Sequence, residues 1–128
     1  MENNKALEGY ELFDSFGKRF SRKITIRSNG VISLSAGIIK NYNIKKGTFA
    51  QILYNRIEKK IAIKFIQEKS DNAKKLVVQQ HDDKVLAAWL NVRSFFMHNA
   101  IELPPKGKHF ETKIEEENED IIIFSIIK

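Results

Sequence analysis

The residues best suited to chemistry crowd near the start of the chain, in GKRFSRKITIR. Lys18, Arg19, Arg22, Lys23 and Arg27 put five cations into ten residues, with Phe16 and Phe20 interleaved. Clustered Lys and Arg neutralise phosphates, Arg in a bidentate manner, and a neighbouring ring can stack on an exposed base. Lys40, Lys45 and Lys46 follow and extend the patch. The plainer alternative is a solvated strand edge whose charges block edge-to-edge pairing.

No comparable concentration of catalytic groups occurs. His81, His98 and His109 lack the three- or four-residue spacing of a ligand pair, and Asp82 with Asp83 falls in a predicted turn, where Asp bonds its own backbone. No glycine-rich phosphate loop is present. The chain has no cysteine, hence no thiolate nucleophile or thiolate metal site, and it fits a reducing compartment. The expectation is a non-enzymatic protein with no metal and no cofactor. The acidic, polar first residues do not read as a signal peptide, and the longest apolar run is far short of a bilayer. A cytoplasmic protein with no membrane partner is expected.

The net charge of +6 is unevenly spread. Residues 1–65 hold 13 Lys/Arg and 5 Asp/Glu, so 13 − 5 = +8; residues 66–128 hold 9 and 11, so 9 − 11 = −2. A basic half beside a mildly acidic one points to a polyanionic partner, or merely to a solvated basic surface.

These groups need elements to position them. RKITIR alternates, so Ile24 and Ile26 share one face and Lys23, Thr25 and Arg27 the other, as in a half-buried strand. Ser28, Asn29 and Gly30 make a turn, VISLS a second strand, and Ser35 is placed to cap a short helix over residues 36–44. TFAQILY and KIAIKF form a hairpin with Ile61, Ile63 and Phe65 on one face. After a polar linker the order recurs: strand KLVVQQ, turn HDDK, strand VLAAWL, a helix over residues 92–100 capped by Asn91, and a last hairpin in FETKIEEENEDIIIFSIIK. Trp89, beside Phe95, Phe96 and Met97, reads as core, with a ligand platform as the alternative. The acidic residues 115–120 read as a hairpin tip kept soluble, or as a phosphate mimic or a surface for a basic partner. IIIFSII is apolar on both faces and needs cover on both, from a barrel interior or from a homodimer interface.

Residues 1–20 read as an N-terminal docking segment and residues 21–128 as one domain of two repeats, about 22–66 and 74–127. Ile44 and Ile101 close the two short helices, and Gly47 and Gly107 lead into the strands that follow. Neither half has enough strands to cover its own apolar face, whereas two together do. The fold class expected is mainly β with short helices, built of duplicated strand–strand–helix–hairpin units.

The stretch from Gly30 to Lys64 resembles the AbrB/SpoVT/MazE swapped-hairpin family. The likeness rests on Gly30, on Leu34 with Ser35, on Tyr42-Asn43-Ile44, on Lys46-Gly47 and on Lys60-Ile61-Ala62-Ile63-Lys64. It covers residues 22–65 well and the second half weakly. Val31, Ser35 and Ile39 stand where that family carries a basic residue, a proline and an arginine. The resemblance implies a swapped-hairpin-like β-barrel made within one chain and a DNA-binding regulator or an antitoxin. It matches the family's contact strand to Arg22, Lys23 and Arg27, whereas the second half offers Lys74, Lys75, Gln79 and Gln80, so a lopsided basic face is expected. The expected partner is nucleic acid, DNA or RNA. The alternative is a mobile-element protein-interaction module, an antitoxin or a small inhibitor of a host nuclease or ribonucleoprotein. It would bind a protein of a nucleic-acid-processing complex.

Overall fold

A computed structural model describes Gly9 and residues 22–126. Apart from Gly9, the docking segment of residues 1–20, with Phe16, Lys18, Arg19 and Phe20, lies outside the described residues. The chain is mainly β. Strand β1 (Lys23–Arg27) turns into β2 (Val31–Leu34), followed by helix α1 (Ala36–Asn41) and the hairpin β3 (Phe49–Asn55) and β4 (Lys60–Ile66). Then come β5 (Lys74–Lys75), β6 (Val77–His81), β7 (Lys84–Asn91), helix α2 (Arg93–His98), β8 (His109–Lys113), β9 (Glu116–Asn118) and β10 (Ile121–Ser125).

These strands form two antiparallel five-stranded sheets, ordered β6-β7-β2-β1-β8 and β5-β3-β4-β10-β9. The expected closed barrel is therefore corrected to a pair of sheets. The reason lies at two corners. Leu76 alone separates β5 from β6, yet β5 joins the second sheet and β6 the first. There the Leu76 amide donates to the Thr48 carbonyl at 3.0 Å while its side chain turns into the core. Ile114 and Glu115 part β8 from β9 in the same way. Strands that change sheets by bending make corners rather than one continuous ladder. The terminal segment read as one hairpin divides accordingly: β8 pairs with β1, and only β9 and β10 form the hairpin.

One core draws on both sheets and both helices. Ile24, Ile26, Ile32 and Leu90 come from the first sheet, Ile61, Ile63, Ile122 and Phe124 from the second, and Ile38 and Phe96 from the helices. Each strand follows the alternation in its sequence: β4 buries Ile61, Ile63 and Phe65, and β1 buries Ile24 and Ile26. The double-faced IIIFSII segment buries Ile122 and Phe124 fully, while Ile121 and Ile123 are half-buried.

Helix α1 starts after Ser35, but the Ser35 hydroxyl does not cap it. Instead it accepts from the Lys23 amide at 3.0 Å, tying the helix start to β1. Helix α2 is preceded by Val92 rather than by Asn91, which remains in β7. The Val92 amide donates to the Gly30 carbonyl at 3.0 Å, and that bond carries the β2–β7 ladder past Asn91. Gly30 itself has φ +83°, and a Cβ there would lie 2.4 Å from the Arg93 Cα. Only glycine allows both that backbone angle and that approach. Both helices are six residues long and both end on a left-handed residue, Asn43 (φ 51°) and Ala100 (φ 54°). The next amides, of Ile44 and Ile101, then bond back to Ile39 and Phe96 at 3.0 and 2.9 Å.

Candidate nucleic-acid interface

Alternation along β1 turns Lys23, Thr25 and Arg27 away from the core. The antiparallel register then decides their neighbours, because directly opposed residues share a face. Lys23 stands opposite Lys113, Thr25 opposite Glu111, and Arg27 opposite His109. On the other side Thr25 faces Ser33, Ser33 faces Trp89, and Trp89 faces Val77. One row thus crosses the outward surface of the first sheet as Val77, Trp89, Ser33, Thr25 and Glu111.

Trp89 is the residue whose place the sequence reading missed. Its neighbours Ala88 and Leu90 are the inward ones, each 1% exposed. Trp89 lies half-buried on the opposite side, and among the described residues it is not one of those packed against the core. The Trp89 ring lines an open groove of about 430 Å³ with Arg27, Asn29, Val31, Ser33 and Ala87. Arg27 crosses this groove, its Nε donating to the Ser33 Oγ at 3.4 Å. The signal was present in the alternation of VLAAWL, where Trp89 is out of phase with Ala88 and Leu90. Its size and apolarity outweighed its phase.

The other predicted cations are dispersed. Arg22 pairs with Glu117 of β9 through its Nη2. The Tyr42 hydroxyl donates to the same carboxylate oxygen at 2.8 Å. The hydrogen bond from Arg22, then that from Tyr42, holds the Glu117 carboxyl below its ordinary range. Burial, and then the bond to Glu117, pushes the Tyr42 phenol up to about 12. The Tyr42 ring in turn stands 5.2 Å from that of Phe65. The three groups clasp the start of β1, the end of α1 and β9 together. Lys40 is exposed in the last turn of α1, and Lys45 and Lys46 are exposed in the connector that follows. Lys46 lines a second groove, of about 410 Å³, with Lys75, Leu76, Val77 and Val78. Val77, which lines this groove, is the register partner of Trp89, which lines the first.

The acidic tip is also engaged within the molecule. Lys60 lies 3.4 Å from Glu115, 3.5 Å from Glu116 and 3.6 Å from Glu58. By contrast, Lys23, Arg27 and Lys113 make no ion pair among the described residues. His81 and His109 lie near Asp82 and Glu111, at 3.6 and 3.8 Å, and His98 ends α2. Among the described residues no group of three or more His, Asp or Glu is gathered as for a metal ion, and no helix is long and apolar enough to cross a membrane. Set against family models, curated proteins and solved structures, the chain matches none in any of the three comparisons.

Proposed function

We propose that the protein is a non-enzymatic nucleic-acid-binding regulator of the cytoplasm that holds backbone phosphates on the outward face of its first sheet. One observation carries this reading. Lys23 and Lys113 are directly opposed across β1 and β8, with Arg27 on the same face and no acid paired to any of them among the described residues. Directly opposed like charges cost stability. A polyanion laid across them removes that cost and gains from counterion release.

The fold belongs to this reading as two copies of one strand–strand–helix–hairpin unit, as in the swapped-hairpin proteins that residues 22–65 resemble. The matched helix endings at Asn43 and Ala100 support it, as do Gly47 and Gly107, both left-handed, at φ 97° and 81°. So does the way the central strands meet: β2 pairs with β7, and β4 with β10, each strand with its counterpart.

The test is a titration of the full chain with labelled DNA and RNA at several salt concentrations. Three phosphate contacts correspond to a loss of roughly 20- to 40-fold in affinity between 50 and 200 mM salt. Lys23→Ala, Arg27→Ala and Lys113→Ala together should abolish most of that dependence. Binding that is undetectable at low salt, or unchanged in the triple variant, overturns the proposal.

A second reading draws on a different surface. Leu53 of β3 is 53% exposed and Ile57, at the tip of the β3–β4 hairpin, 93% exposed. Exposed aliphatic residues of this size support a protein-interaction module, an antitoxin or a small inhibitor of a nuclease or ribonucleoprotein encoded by a mobile element. A stoichiometric partner recovered with the native chain, and lost with Leu53→Lys and Ile57→Lys, would favour it. Recovery of nucleic acid alone would count against it.

A further inference from the structure

We infer that the nucleic acid taken by the first sheet is single-stranded, with one unstacked base lying on the Trp89 ring. This rests on the nucleic-acid reading above and adds the class of substrate to it.

Trp89 is held in the middle of a sheet by ladder bonds on both sides, so its backbone is rigid. Its side chain lines an open groove rather than the core. A large aromatic surface left partly exposed forfeits part of the burial energy it would gain inside. Covering it with a flat, apolar ligand face restores that energy. A base offers such a face only when it is unstacked, because in a duplex its two faces are covered by its neighbours.

The flanking groups fit the same ligand. Arg27 lies on one side, its guanidinium stem across Ser33 in the Trp89 groove. On the other side Val77, opposite Trp89 across β6 and β7, lines the groove that Lys46 and Lys75 also line. Cations thus stand on both sides of the ring, as phosphates on both sides of a stacked base require. From β6 to β1 the track crosses three strand spacings, about 14 Å, long enough for a short stretch of strand. Small side chains, Ser33, Thr25 and Ala87, leave the surface between them low. Glu111 closes the row beyond Thr25, so the base-stacking part of the track lies between Thr25 and Val77, with Lys23 and Lys113 beside it on the same face.

The chain contains one tryptophan, so its emission reports this site alone. The full protein is titrated at low salt with a thymidine 15-mer, a uridine 15-mer, a mixed-sequence duplex of the same length, and heparin, a polyanion without bases. Single strands should quench the emission and bind more tightly than the duplex, and heparin should bind without quenching. Trp89→Ala should weaken single-strand binding by on the order of tenfold, the usual worth of one stacked base, and leave duplex affinity unchanged. Trp89→Phe, which keeps an aromatic face, should retain most of the affinity, and it serves as the variant of record if the alanine form does not fold. Unmoved emission on binding, equal quenching by heparin, or equal loss for single strand and duplex overturns the stacking while leaving phosphate binding in place. No binding of any of the four ligands overturns both.

Discussion

The outward faces of the two sheets are built from the same alternating pattern and have opposite characters. The first carries Lys23, Arg27 and Lys113 with a half-buried Trp89. The second carries the cross-strand row Leu53, Ala62, Ile123 and Glu116. The difference is not one of formal charge alone, since Lys60 and Lys64 also belong to the second sheet. It lies in what each cation meets. Lys60 is surrounded by Glu58, Glu115 and Glu116, and Arg22 is held by Glu117. The acidic tip thus neutralises cations of the second sheet and of the entry to β1, whereas Lys23, Arg27 and Lys113 of the first face make no ion pair among the described residues. Local neutralisation, rather than the sum over the chain, decides where a polyanion can bind.

Four changes test this contrast. The largest concerns the core that both faces share. Phe124 is fully buried, and Phe124→Ala should cost about 3–5 kcal/mol, read as a lowered urea midpoint. Because one core serves both sheets, Trp89 emission and circular dichroism should follow a single transition. If the first sheet survives the unfolding of the second, the two faces do not belong to one cooperative unit.

Next comes the clasp between them. The Tyr42 phenol ordinarily titrates at 10.0 and is pushed up to about 12 here. A raised folded value means that its contribution to stability is complete below pH 10 and is lost as pH rises through about 12. The effect at this partly exposed site is on the order of 1 kcal/mol. Tyr42→Phe should flatten that part of the stability profile. Glu117 gives the opposite sign: its lowered value contributes above the ordinary carboxylate range, and the contribution disappears as the pH falls through it. An unchanged alkaline limb in Tyr42→Phe would remove the clasp from the account.

A smaller effect separates two cations of equal formal charge. Arg27→Ala should lower the slope of log affinity against log salt by about one, roughly a threefold change in affinity over a fourfold change in salt. Lys60→Ala, on the neutralised face, should leave the slope close to its original value. Equal slopes for the two variants would erase the contrast. The smallest change is in stability. Lys113→Thr relieves the opposition to Lys23 and should raise stability by a few tenths of a kcal/mol while weakening nucleic-acid binding. A variant that lost stability would mean that the two lysines do not repel.

Much of the fold was legible because its signals are local. The phase of Ile24 and Ile26, and of Ile61, Ile63 and Phe65, identified strands and their buried sides. Gly30 marked a turn, and Asp82, at φ 56°, sits in the turn between β6 and β7. Three expectations fail for non-local reasons and a fourth for a local one. Ser35 bonds across to Lys23 instead of capping its own helix. Asn91 stays in a ladder continued by Gly30. The segment carrying β8 leaves its expected hairpin for β1. Trp89 is the local case: its size and apolarity suggest core, while its phase against Ala88 and Leu90 turns it outward. Of the candidate site, Lys23 and Arg27 could be read as outward-facing from β1 alone, whereas Lys113 and Trp89 enter it only through pairing.

What the chain determined by itself is which residues alternate, where it turns, and that its cations crowd into the first half, since steric and hydrophobic preferences act over a few neighbours. Which faces meet and which charges cancel is set by long-range packing. Arg22 and Glu117 are 95 positions apart, and no local preference brings them together. Their pairing depends on how two sheets close over one core, and so does the separation of a neutralised face from a charged one.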